Sequence, residues 1–386
     1  MAPPPPSASG GSPETGPAHG ARKDFLPELD GLRAIAVLLV LWSHLRHSVL
    51  PHWTQELAGF LLPHYLGVDL FFVLSGFLIT RILLVDRDQG VPLRWFYARR
   101  CLRIFPIYYL LLAVLAVLNP EPALPWSAVY LSNFYIYWNG AYGMLDHTWS
   151  LCVEEHFYLL WPPLATWLSL RASRRVLLLG FLPFSLATGV WLSWRHGSFE
   201  ERDFLALITG THSLARFGSL AAGALIAYSE AGLRARPWRS TGLALLLLAC
   251  AWPLTKDGFV RLGGAHLVLA SGLPGDPQRI LPIFQLISFP LTSSAVLLLA
   301  IGWTGTGALH ARLLRAAPLT AIGRISYGLY LYHYPLYSAF GIRNPAVPEP
   351  SLLRHVLGLG AILAIAALSQ RFVERPILSL GRRFRA

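Results

Sequence analysis

From Gly31 onward the chain alternates apolar stretches of about twenty residues with short polar loops. About twenty residues is the length an α-helix needs to cross the hydrocarbon of a bilayer. The stretches fall near 31–49, 64–84, 104–119, 148–169, 176–194, 204–228, 241–255, 281–302, 317–340 and 353–374. Composition agrees. Of 386 residues 54% are hydrophobic and 13% charged, about half the roughly 25% charged share of soluble domains. A soluble fold could not hide that much apolar surface in its cores, and a disordered chain needs more charge and fewer aromatics. The expectation is an all-α, polytopic transmembrane helix bundle of about ten spans.

Segment 262–273 reads as an eleventh span or a re-entrant piece. Segment 124–138, aromatic and flanked by proline, reads as a lumen-facing or interfacial loop. Residues 1–23 are rich in Pro, Ser, Gly and Ala and read as a disordered tail, without the apolar core of a cleavable signal peptide. The transmembrane domain is then 24–376, and 377–386 is a basic cytoplasmic tail. The net charge of +12 resides in arginine clusters between apolar runs, which orients a polytopic protein and argues against nucleic acid as partner. With both termini cytoplasmic, roughly twenty basic residues fall on the inner side and about seven outside, as the positive-inside rule requires. Glu121, Asp146, Glu200, Glu201 and Asp203 fall on the outer side. Cys101, Cys152 and Cys250 lie far apart, with no metal-ligand spacing, and read as small buried side chains.

Ionisable residues inside such spans cost several kcal/mol and mark functional sites. The first span, LDGLRAIAVLLVLWSH, carries Arg33 and His44 about 16 Å apart along the helix axis. The fourth, DHTWSLCVEEHFYLLWP, carries Glu154 and Glu155, with Ser150 and Tyr158 one turn either side of Glu154. The ninth, ISYGLYLYHYP, places His333 near mid-membrane with Tyr330 three residues before it. The second, GVDLFFVLSGF, adds Asp69 and, deeper, Ser75. Four helices thus bring His44, Glu154, His333 and Asp69 to comparable depth. The bland alternative is a polar network that only sets helix packing; two imidazoles with several carboxylates favour a reaction centre. In FYARRCLRIFPIYY, Arg100 and Arg103 share a helix face at the cytoplasmic start of the third span, which suits a ligand bearing phosphates. Arg94 and Arg99 are assigned to topology and headgroup contact. No P-loop, HExxH or GxSxG occurs.

These motifs, with FVERP near the end, resemble those of the acyltransferase 3 family of integral membrane O-acyltransferases, in the same order and along nearly the whole apolar region. Cys152 and His156 stand where Ser and Gln are more usual. The resemblance implies transfer of an acyl group, acetyl by default, from cytoplasmic acyl-CoA to a hydroxyl of a carbohydrate in a bacterial cytoplasmic membrane. The main acceptor is a surface or exported glycan; a glycosylated secondary metabolite such as a macrolide is the alternative. By matching positions His44 is the essential histidine, Arg33 its companion, Arg100 and Arg103 the residues for the donor's phosphates, and Glu154 the motif carboxylate. Asp69, Ser75, Ser150, Tyr330 and His333 support them. Some family members carry a further soluble domain; the sequence ends at Ala386, so transfer is expected to be direct or through a separate soluble partner.

An alcohol attacks a thioester poorly unless its proton is removed as the bond forms. Neutral His44 could take that proton with Glu154 stabilising the imidazolium, or His44 could itself form an acyl-imidazole. No resident cofactor or metal is called for, since acyl-CoA is already activated. A proton-coupled transporter is the competing class.

Overall fold

The computed structural model describes residues 25–49, 64–140, 143–196, 210–252, 277–342 and 352–381. Among them every regular element is helical. The first long helices are α1 (Pro27–Val49), α2 (His64–Asp88) and α3 (Leu93–Leu118). Short helices α4 (Leu124–Ala128) and α5 (Ser132–Asn139) and a 3-10 turn (Asp146–Thr148) lead to α6 (Trp149–Trp167). Next, α7 (Leu170–Arg175) runs through a π-helical turn (Val176–Phe181) into α8 (Leu182–His196). There follow α9 (Ser213–Ala227), α10 (Glu230–Ala235), α11 (Pro237–Ala251) and α12 (Pro277–Gly302). The chain continues through α13 (Leu309–Leu314), α14 (Ala317–Arg324), α15 (Ser326–Ala339) and α16 (Leu352–Ser369). A second π-helical turn (Gln370–Glu374) leads to α17 (Arg375–Leu380).

Five stretches among the described residues are long and apolar enough to cross a membrane: Leu66–Asp88, Leu93–Leu118, Leu170–Arg195, Ile283–Gly302 and Leu352–Leu380. The chain is a multi-pass membrane protein. Helices α9 and α11 are apolar but shorter. The region 124–138 holds helices of 5 and 8 residues, too short to span, in line with the loop read from its prolines. The stretch 317–340 departs from expectation, because it breaks at Ile325 into two helices. Arg324 bonds back to the Thr320 carbonyl at 3.2 Å, so α14 closes as a separate short helix packed on α1. The tail 1–23, the segment 262–273, the acidic residues 200–203 and the arginines 382–385 lie outside the described residues.

Helix α2 is the hub, packed against α1, α6, α9 and α12. It meets α9 backbone to backbone: a Cβ at Gly76 would collide with the Leu220 carbonyl, and one at Gly223 with that of Val73. Small residues of this kind let membrane helices approach closely where hydrocarbon supplies no drive for association. On the α6 side, Trp161 is fully buried and donates from Nε1 to Thr80 Oγ1 at 2.8 Å. Large apolar side chains on α3 (Leu110, Val114, Leu118), α8 (Trp191, Trp194), α11 (Leu245) and α16 (Val356, Leu368) are exposed. A bilayer, rather than water, suits that surface. Cys250 is exposed on the same kind of face, whereas Cys152 is buried, so small buried side chain describes Cys152 and not Cys250.

Candidate active site

Helices α1, α2, α3, α6 and α15 enclose a cavity of about 90 Å³. Its polar lining is Arg33, Ser75, Arg100, Arg103, Ser150, Glu154, Tyr158, Ser326, Tyr327 and Tyr330. Helical spacing explains the α6 wall: Ser150, Glu154 and Tyr158 recur every four residues and so share a face. Glu154 accepts from Ser75 Oγ at 2.6 Å and from the Tyr158 hydroxyl at 3.2 Å. The Arg100 guanidinium lies over the Tyr158 ring, 5.3 Å from its centroid. Arg33 is tied to Asp30 at 3.3 Å, and Arg33, Arg100 and Arg103 lie within reach of one another's charge. Three guanidinium groups and one carboxylate line the cavity, with Asp30 on Arg33 and Glu374 near Arg103 behind that lining. Guanidinium groups presented in this way suit an anion such as a phosphate.

His44 is not part of that lining. Its Nδ1 lies 3.1 Å from His333 Nε2. Around this pair stand Tyr334, edge-on to His44 at 5.3 Å, and His147, whose ring centroid is 5.1 Å from that of His333. Pro335 explains part of the assembly. A proline inside a helix has no N–H for the carbonyl four residues back, here Leu331, and His147 Nε2 takes that carbonyl at 3.1 Å. The Tyr334 hydroxyl donates to Asp146 at 2.7 Å.

Tyr330 is the wall shared by the two compartments. Its ring lines the cavity. Its hydroxyl lies 2.6 Å from Ser150 Oγ and donates to the His147 carbonyl at 2.8 Å. Its own carbonyl bonds His333 Nδ1 at 2.6 Å.

Two expectations are corrected. Glu154 does not hold His44: its carboxylate is bonded to Ser75 and Tyr158, and His333 occupies the place beside His44. Asp69 joins neither the cavity lining nor the bond between His44 and His333. Fully buried, it is bonded at 2.5 Å to both Arg216 and Ser219 of α9. Six residues separate Asp69 from Ser75, a turn of about 240° around the helix, so the two face different neighbours. Arg99, assigned to topology, is ion-paired with Asp86. Glu155 does not line the cavity.

Sequence reasoning passed over His147, Tyr334 and Arg216. The signal for Arg216 was present, a lone arginine inside the apolar run LARFGSL. Among the described residues no three His, Cys, Asp or Glu gather to hold a metal ion.

The family model of the acyltransferase domain matches residues 26–371, which include every residue of both compartments. The chain belongs to the acyltransferase 3 family. Relatives within it include the peptidoglycan O-acetyltransferase OatA of Listeria monocytogenes, 28% identical over 394 residues, covering 93% of this chain and 57% of the relative. The O-acetyltransferase OatA of Staphylococcus aureus strain NCTC 8325 is 30% identical over 396 residues, with 92% and 58% covered. A putative peptidoglycan O-acetyltransferase of Bacillus subtilis, YrhL, is 29% identical over 399 residues, with 93% and 56% covered. The chain therefore spans a little over half the length of these acyltransferase 3 relatives. No solved structure matches it.

Proposed function

We propose that the protein is a membrane O-acetyltransferase that moves an acetyl group from acyl-CoA to a hydroxyl of a cell-envelope glycan. The observation that carries this reading is the pairing of an arginine-lined cavity with a His44–His333 pair across one tyrosine. The relatives' printed activity, O-acetylation, on peptidoglycan where an acceptor is named, points to a glycan acceptor.

In this reading Arg100 and Arg103, with Arg33 behind them, hold the phosphates of the donor. Glu154, fixed by Ser75 and Tyr158, keeps the three cations from spreading apart. The thioester arm passes Tyr330 to reach His44. There the acceptor hydroxyl attacks the thioester carbonyl while His44 takes its proton. The carbon–sulfur bond breaks, and the leaving thiolate recovers that proton as thiol. The arginine end lies at the cytoplasmic face of a bundle of about ten spans in a bacterial cytoplasmic membrane, with both termini cytoplasmic. The donor then stays inside while His44 sits toward the outer half. A separate soluble partner that carries the acetyl group onward is compatible with this layout.

Membranes containing wild type or His44→Ala, incubated with radiolabelled acetyl-CoA and cell-envelope glycan precursors, test the proposal. Labelled glycan from wild type alone, with the variant still inserted, is expected. Equal labelling by both would remove His44 from the reaction. No labelling by wild type, with solute flux seen instead, would replace an acyltransferase by a transporter.

A further inference from the structure

A carbonyl oxygen can only accept a hydrogen bond, so a ring nitrogen bonded to one must carry a hydrogen. His333 Nδ1 lies 2.6 Å from the Tyr330 carbonyl and is therefore the protonated nitrogen. The His333 side chain is 0% exposed, with no bulk water to stabilise a charge on it. In the neutral ring, Nε2 then carries the lone pair. That lone pair faces His44 Nδ1 at 3.1 Å. Two lone pairs do not approach so closely, so His44 Nδ1 holds the hydrogen and donates it. In neutral His44 the remaining lone pair is then on Nε2.

We propose that His333 is a positioning residue that fixes His44 as its Nδ1–H tautomer and so makes Nε2 the reacting nitrogen. The chemical consequence rests on the acyltransferase reading; the tautomer does not. The local sequence supplies the device. His333 reaches the carbonyl three residues back on its own helix, so the ring is locked at one end by α15 and presented at the other to α1. The arrangement does for His44 what a carboxylate does for the histidine of a serine hydrolase, by means of a neutral ring. When the acceptor hydroxyl attacks the thioester, its proton goes to His44 Nε2, the Nδ1–H bond to His333 is kept, and the thiolate takes the proton back from Nε2. An acyl-imidazole route would use the same nitrogen as nucleophile. His44 in the opposite tautomer would turn an N–H toward the substrate and serve neither route.

Nitrogen-15 spectroscopy of the wild-type protein in lipid nanodiscs, with ring-labelled histidine, reads the tautomer directly. His44 is assigned by difference from His44→Gln, at a pH well above the usual histidine value of about 6.5. The expected result is a hydrogen-bearing Nδ1 and a lone-pair Nε2 at His44. A hydrogen on Nε2 with a bare Nδ1 overturns the proposal. Kinetics supply a second reading. In His333→Gln the amide oxygen can stand where Nε2 stood and accept from His44, so kcat is expected to stay within about tenfold of wild type. His333→Leu offers no acceptor and is expected to lower kcat about 100-fold or more, the scale of misplaced tautomers and lost acid–base help, with KM for acetyl-CoA unchanged. Equal loss in both variants, or an effect confined to KM, also overturns it. An inactive wild type would speak against the acyltransferase reading, while the spectrum would still decide the tautomer.

Discussion

The two compartments that meet at Tyr330 are built by opposite means. The cavity gathers like charges, Arg33, Arg100 and Arg103, near Glu154; hydroxyl groups hold Glu154, an aromatic face carries Arg100 and Asp30 holds Arg33. The histidine side gathers imidazoles instead and holds them with ring contacts and backbone carbonyls, those of Tyr330 and Leu331. The first arrangement suits holding an anion, which needs fixed charge. The second suits moving a proton, which needs a group that is neutral at rest. Binding and chemistry are thus assigned to separate sets of side chains, and each set should fail in its own way.

The largest expected effect lies on the histidine side. His44→Ala should lower kcat by about 10²–10⁴-fold, the usual share of a positioned acid–base group, with KM for acetyl-CoA unchanged in steady-state assays. A rise in KM instead would merge the two compartments. On the cavity side, Arg100→Ala should raise KM for acetyl-CoA about 10- to 100-fold, as expected for a lost charge-assisted contact of about 1.5–3 kcal/mol. Its kcat should change much less. Tyr330→Phe should sharpen the boundary, since the hydroxyl that bonds the His147 carbonyl is lost while the ring remains. A fall of about fivefold in kcat, the equivalent of one hydrogen bond of about 1 kcal/mol, with no change in donor binding, is the expected outcome. A control lies outside both compartments. Asp69→Asn leaves the Arg216 charge buried without its partner and should cost about 3–5 kcal/mol of stability, read as lost thermal stability in membranes. The pair Asp69→Leu with Arg216→Leu should recover most of it.

What was legible in the sequence follows from what helical geometry fixes. Long apolar runs fixed where α2, α3, α8, α12 and α16 would lie, because hydrocarbon thickness sets one length for all of them. Polar residues inside such runs pointed to His44, Glu154 and His333, since few other reasons keep them there. Depth came from counting residues, but facing did not. Arg33 and His44 are eleven residues apart, close to three whole turns, and do lie along one face of α1, on the two sides of Tyr330. Asp69 had the right depth and faced Arg216 on α9. Glu154 and His44 were expected to meet, yet α15 inserts Tyr330 and His333 between them. His147 was hidden because its role depends on Pro335, 188 positions later, and no local pattern links the two.

The most direct test of the division of labour is the affinity of the purified protein, in lipid nanodiscs, for a non-reactive thioether analogue of acetyl-CoA. His44→Ala should bind it as tightly as wild type, while Arg100→Ala combined with Arg103→Ala should bind at least about tenfold more weakly. Loss of binding in His44→Ala, or full binding without the two arginines, would contradict the separation of the two compartments.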